Sequence, residues 1–195
     1  MYMSRRLLVT GFVPFSIHET NISEQILETL STKGISGVEI ETSLLNVDEH
    51  GSQVVSERLY GGDSFAAILH LGLSEKAEKI QLERFGKNRY GMKIPDNSGR
   101  QIREGEILIG SKDFVETLAP IHLIEEIIHE FDEVCWSEDA GGFICNETYY
   151  RTLIAAIESD SSNVLFAHLP QEYWVPKNRQ LEVIRELCKR LCSNP

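Results

Sequence analysis

Nowhere in these 195 residues do eighteen apolar residues run together, so the chain offers no candidate for a membrane-spanning helix. The opening MYMSRRLLVTGF has only a short apolar run before Gly11 and Pro14, too short for the apolar core of a secretory leader. Basic residues are scarce. Lys plus Arg number 19 against 30 Asp plus Glu, and a formal charge of −11 argues against nucleic acid or an anionic membrane as partner. Cysteines number four, at Cys135, Cys145, Cys188 and Cys192, without the frame of a small secreted domain. Reduced thiols in a cytoplasmic protein fit that usage better than two disulfides. Cys188 and Cys192 lie four apart on an expected helix, but no second Cys or His pair has ligand spacing, so no metal is expected. The single Gly11 after the first expected strand does not make a phosphate-binding fingerprint, which sets dinucleotide binding aside. Internal repeats, low-complexity tracts and linkers are missing as well, and the length suits one domain over 1–195.

What is present is an alternation of strands and helices. Leu7–Thr10 reads as a short strand, Ser23 as the N-cap of a helix to about Leu30 ended by Gly34, and Val38–Leu45 as a second strand. Asp48 caps a helix to about Tyr60. Phe65–Leu71 is an almost unbroken apolar run, as in a strand buried on both faces of a parallel sheet. From Gly72 to Ile109 the periodicity fails, apart from a hint of a strand at Ile80, Leu82 and Arg84. Irregular stretches of that length in compact domains are often functional. Pro120 suits the first turn of a helix to about Phe131, followed by a strand at Glu133–Ser137. Asn163–Leu169 is another buried strand, and an amphipathic helix over Gln180–Leu191 follows it. The pattern predicts an α/β fold: a three-layer α/β/α sandwich on a mostly parallel, twisted sheet.

The stretch Ser137–Tyr150, SEDAGGFICNETYY, organises the rest. It reads as strand, small-residue turn, then helix, with Cys145 in the first helical turn. There, unpaired backbone N–H groups and the positive end of the helix dipole favour a thiolate. Such a sheet gathers its sites at strand C-terminal ends, an edge expected to collect Phe12, Phe15, Leu73, the Glu83 segment, Cys145 and His168. A thiol, an imidazole and a carboxylate are the parts of a nucleophile–base–orienter triad. Each residue also has a plain structural reading. Cys145 suits a small buried hydrophobe, His168 a hydrogen-bonded core histidine, and Glu83 a surface partner of Arg84.

Several segments in order resemble pyroglutamyl peptidase type I, a family of cysteine peptidases. They are TGFVPF at Thr10–Phe15, HLGL at His70–Leu73, LERFGKN at Leu82–Asn88, IPDNSG at Ile94–Gly99, the Ser137–Tyr150 stretch, and FAHLP at Phe166–Pro170. The resemblance implies a nucleophile at Cys145, a general acid/base at His168 and an orienting carboxylate at Glu83. It implies that Phe12, Phe15 and Phe143 pack around a five-membered lactam, that the backbone near Leu73 reads the lactam's polar edge, and that Lys93 stands at the family's cationic position. It further implies small peptides with N-terminal pyroglutamate as substrates, no cofactor, a cytoplasmic setting and a homo-oligomer, dimer or tetramer.

The chain departs from the family pattern in four places. Val13 stands where an acid is usual, NIS at Asn21–Ser23 replaces NPS, Lys93 replaces an arginine, and SEKAEK at Ser74–Lys79 replaces a glycine–arginine pair. Two other readings therefore stay open: a cysteine amidohydrolase of another small lactam or N-acyl group, and a binding homologue without turnover.

Overall fold

The computed structural model describes residues 6–159 and 163–193; the reading of the first five residues lies outside them. Outside 67–116, where four strands follow one another, its elements alternate as expected. Strand β1 (Arg6–Phe12) is followed by α1 (Ile22–Lys33), β2 (Glu39–Leu45), α2 (Glu49–Tyr60) and β3 (Ala67–Leu73). Then come β4 (Ile80–Glu83), β5 (Phe85–Lys87), β6 (Phe114–Glu116), α3 (Ile121–Glu130), β7 (Val134–Ser137), α4 (Ile144–Glu158), β8 (Asn163–Leu169) and α5 (Lys177–Ser193).

The main sheet has six strands in the order β2-β1-β3-β8-β4-β7. Neighbours run parallel except β4, which is antiparallel to β8 and parallel to β7. Strand alternation splits the core in two. Leu7, Val9, Leu69, Leu71, Ile80, Leu82, Ala167 and Leu169 pack toward α1, α3 and α5. Leu8, Phe12, Ile68, Val164 and Phe166 pack toward α2 and α4. The result is the expected three-layer α/β/α arrangement on a mostly parallel sheet.

Local chemistry moves several expected boundaries. The N-cap of α1 is Asn21, whose side chain accepts from the Ser23 N–H at 3.0 Å and from the Ser23 hydroxyl at 2.8 Å. Ser23, expected as the cap, instead accepts the Phe12 N–H at 3.0 Å and so ties the end of β1 to the helix. Asp48 caps α2 as expected, accepting the Gly51 N–H at 2.7 Å. Pro120 sits at the N-cap of α3, with an extended ψ of 114°, rather than inside its first turn. The irregular 72–109 region resolves into the last two residues of β3, then β4, plus a small separate sheet of β5 with the later β6. Three-residue strands are too short to show a period of two.

Candidate active site

The candidate nucleophile, Cys145, is positioned by glycines and an asparagine. Gly141, with φ +85°, turns the chain into α4, and Gly142 lies against the backbone of Gly91, where a Cβ would come within 2.7 Å of the Gly91 nitrogen. Phe143 is the N-cap and offers no side-chain hydrogen bond, so the first-turn N–H groups of α4 have no capping side chain. Cys145 is the second residue of that turn. Next to it, the Asn146 amide accepts the Lys87 N–H at 3.0 Å and donates to the carbonyls of Lys87 and Arg89 at 2.8 and 3.1 Å. That clamp fixes the helix start on the β5 segment. The Cys145 sulfur hangs over Gly72 of β3, where a Cβ would approach it to 3.0 Å and the Phe166 ring to 2.8 Å.

His168, in β8, pairs in register with Gly72 and so lies beside the sulfur. One side of its ring is hydrogen-bonded to Cys145. On the other side, Nδ1 meets Glu83 Oε1 at 2.7 Å. Burial on its own would lower the pKa of His168, but the hydrogen bonds and charges of Cys145 and Glu83 outweigh it and push the value up to about 10. Glu83 is fully buried, and its Oε2 has no hydrogen-bond partner among the described residues. The Tyr149 hydroxyl donates to the Glu83 carbonyl at 2.9 Å and holds that strand end against α4. Glu83 was expected from an irregular loop. It is the last residue of β4, and because β4 runs against β8 the carboxylate comes from the opposite direction to the imidazole. The surface pairing of Glu83 with Arg84 does not form: adjacent strand residues face opposite sides, and Arg84 meets Glu116 at 2.9 Å.

The expected aromatic wall surrounds one cavity. About 230 Å³ of empty space is lined by Phe12, Phe15, Leu73, Phe143, Ile144 and Cys145, with Asn21 and Val47 completing it. Phe15 and Phe143 lie 5.9 Å apart between ring centroids, tilted by 41°. Phe15 also stacks on His18 at 5.6 Å, and His18 Nε2 meets Glu75 Oε1 at 2.5 Å. That pair bridges the loop after β1 to the loop after β3, in the SEKAEK stretch where the family pattern was lost.

Lys93 is exposed on its loop and does not line the cavity. The cation that reaches the interior from this region is Arg100. It meets Asp96 at 2.9 Å and Glu147 of α4 at 2.6 Å, and Glu147 also binds Arg151 at 3.0 Å and the Tyr90 hydroxyl at 2.9 Å. Sequence reasoning missed this network, and also Asn21 as the polar residue in the cavity. The signal for Asn21 was the NIS triplet, noted only as a departure. Among the described residues, no group of three or more His, Cys, Asp or Glu is placed to hold a metal ion.

A parallel-rich α/β sheet carrying a Cys–His–Glu constellation beside an aromatic cavity has the build of a cysteine hydrolase. The family described as pyroglutamyl peptidase matches residues 5–180, and the chain belongs to that family. It is 28% identical over 168 residues to a pyrrolidone-carboxylate peptidase of Coprothermobacter proteolyticus, covering 85% of this chain and 81% of the relative. To the pyrrolidone-carboxylate peptidase of Pyrococcus furiosus it is 29% identical over 149 residues, covering 76% and 72%. Among solved structures, the pyrrolidone carboxyl peptidase of Fervidobacterium islandicum AW-1 superposes with a TM-score of 0.86 at 28% identity, covering 95% of this chain and 97% of that one.

Proposed function

We propose that this chain is a cysteine exopeptidase that removes an N-terminal pyroglutamyl residue from small peptides. The observation that carries the reading is the joining of Cys145, His168 and Glu83 at the wall of a cavity built from Phe12, Phe15 and Phe143. The cavity's lining is apolar apart from Asn21 and the Cys145 sulfur, which suits a small uncharged ring. An unsubstituted lactam carries no ammonium, so it enters an apolar wall that an ordinary N-terminus would enter only by burying an unpaired charge.

The chemistry follows from the geometry. The Cys145 sulfur attacks the pyroglutamyl carbonyl carbon while His168 holds the proton. Uncapped N–H groups at the start of α4 face the developing oxyanion, a contribution of about 3–4 kcal/mol per good donor in other hydrolases. As the C–N bond breaks, His168 gives its proton to the departing amine, and a thioester remains on Cys145. Water then adds to the thioester carbonyl, His168 takes the water's proton, and the C–S bond breaks to release pyroglutamate. Glu83 fixes the imidazole tautomer and stabilises its cation. All these groups are side chains or backbone, so no cofactor enters the scheme.

Lys93 takes no step in this scheme. A reducing cytoplasmic setting belongs to the same proposal and is supported by four free cysteines. No helix of the described residues is long and apolar enough to cross a membrane, and the acidic balance speaks against nucleic acid. The homo-oligomer expected from the resemblance is part of the proposal too; light scattering on the purified chain tests it. The test of the activity is hydrolysis of a fluorogenic pyroglutamyl amide beside its prolyl and glutamyl analogues. Pyroglutamyl turnover well above both is expected. Equal turnover of the prolyl amide would sink the substrate assignment.

A further inference from the structure

The described triad and cavity account for the acyl half of the substrate and leave the departing peptide unassigned. The order of the strands shows where that half must lie. The cavity walls come from the ends of β1 and β3, the loop after β2, and the start of α4. The sulfur stands over β3, and His168 follows on β8, the next strand in the sheet. A leaving amine protonated by His168 therefore points away from the cavity, toward β4.

The first side chain on β4 along that path is Gln81. It pairs directly with His168 across the antiparallel β4–β8 ladder, and with Cys135 of β7 on its other side. Side chains directly opposite in an antiparallel pair share a face, with Cβ atoms about 4.5–5.5 Å apart. The core confirms the face: Ile80 and Leu82 pack toward α1, α3 and α5, so Gln81 and Glu83 turn toward α4 and the sulfur. Glu83 is consumed by His168. Gln81 is only partly buried, and its amide makes no hydrogen bond among the described residues. A half-buried carboxamide with both a donor and an acceptor free matches the N–H and C=O of a peptide unit.

We propose that Gln81 binds the backbone of the leaving chain, hydrogen-bonding the first peptide group beyond the scissile bond. The assignment rests on the pyroglutamyl peptidase reading above and gives that site a preference for true peptides over simple amides. A neutral hydrogen bond of this kind corresponds to about three- to tenfold in binding. It is made to ground state and transition state alike, so it acts mainly on KM.

The test compares pyroglutamyl-alanyl-alanine amide with pyroglutamyl aminomethylcoumarin, which has no peptide group beyond the scissile bond. In Gln81→Met, a near-isostere without polar atoms, the peptide-to-coumarin ratio of kcat/KM should fall about three- to tenfold, chiefly as a higher peptide KM. An unchanged ratio in a folded variant overturns the assignment. Wild-type enzyme supplies an independent arm that no folding defect can spoil. An ester in place of that peptide group should lower kcat/KM by a similar factor, and no penalty overturns the assignment. A wild-type chain that hydrolyses the coumarin normally but shows no such preference refutes the role of Gln81 alone. One that fails on the coumarin refutes the function from which it was drawn.

Discussion

His70 and His168 lie on neighbouring strands, β3 and β8, on the same face of the sheet, with the Phe166 ring between them at 5.9 and 4.7 Å. Both are buried, at 0% and 7% exposure. Yet burial pulls the pKa of His70 down to about 3, while that of His168 is pushed up to about 10. The difference lies in their partners. His70 is held between two hydroxyls, Thr10 at 2.8 Å and Thr152 at 3.1 Å, which satisfy a neutral ring and give no charge to offset desolvation. His168 is held between a sulfur and a buried carboxylate. Position in a sheet does not set a histidine's proton affinity; the charge of what it touches does.

The comparison is broken most severely by removing the sulfur. Cys145→Ala and His168→Ala should each abolish turnover while leaving the circular dichroism spectrum unchanged. In Cys145→Ala, an NMR titration of His168 should also move down from about 10, because the sulfur's hydrogen bond and charge are among the causes that raise it. A His168 midpoint that stays put would mean that the sulfur does not hold the proton there. Near-normal rates in Cys145→Ala would overturn the mechanism.

Glu83→Gln comes next, since it leaves shape but replaces the carboxylate with an amide that can stabilise the wrong tautomer. The expected loss in kcat is about a hundredfold to ten-thousandfold, by analogy with orienting carboxylates in other triads. Stopped assays on the pyroglutamyl amide would read it, and a loss below threefold would remove Glu83 from the site.

The two histidines should also stabilise the fold in opposite pH windows. The unfolded chain protonates His70 near 6.5, but the folded chain resists until about 3, so the unfolded state binds more protons between those values and stability falls as pH drops through that window. For His168 the folded state keeps a proton that the unfolded state loses above about 6.5, so stability falls as pH rises toward 10. Replacing His70 with Gln should therefore narrow the acid loss. The Tm of wild type minus variant should become more negative from pH 6.5 downward, and a pH-independent difference would contradict the assignment.

The smallest effect is expected at a third histidine. His18 and Glu75 form a closer pair than His168 and Glu83, 2.5 against 2.7 Å, but the Glu75 side chain is 56% exposed. Water screens such a pair, which contributes about 0–1 kcal/mol. Glu75→Gln should raise KM for a pyroglutamyl amide by no more than about threefold, through a looser Phe15 wall. A tenfold change would show that this surface pair governs the pocket.

The sequence carried the layers of the fold because long buried strands and capped helices leave strong local patterns, as at Phe65–Leu71 and Asp48. It carried the place of Cys145 in the first turn of a helix because a small-residue turn before a helix is itself a signal. Glu83 and His168 were legible as candidates, but their meeting depends on β4 reversing against β8, and a four-residue strand announces no direction. Arg100 was invisible as an interior cation, since charge alone does not say which of several arginines and lysines in a loop will find a buried acid. Gln81 was silent for the same reason: its neighbour His168 is 87 positions away in the chain and becomes adjacent only through the register of the ladder.

Gly72 has a consequence for how this chain tolerates change. It performs no chemistry and makes no side-chain contact, yet a single methyl there would collide with both the Cys145 sulfur and the Phe166 ring. In a survey of every single substitution scored for activity, position 72 should therefore stand out as sharply as position 145. The two would differ in rescue. No external reagent restores a missing thiol easily, whereas shaving Phe166 to a smaller residue in a Gly72→Ala background would reopen part of the space. A vulnerable position in this enzyme is thus marked by the room it keeps empty as much as by the group it supplies.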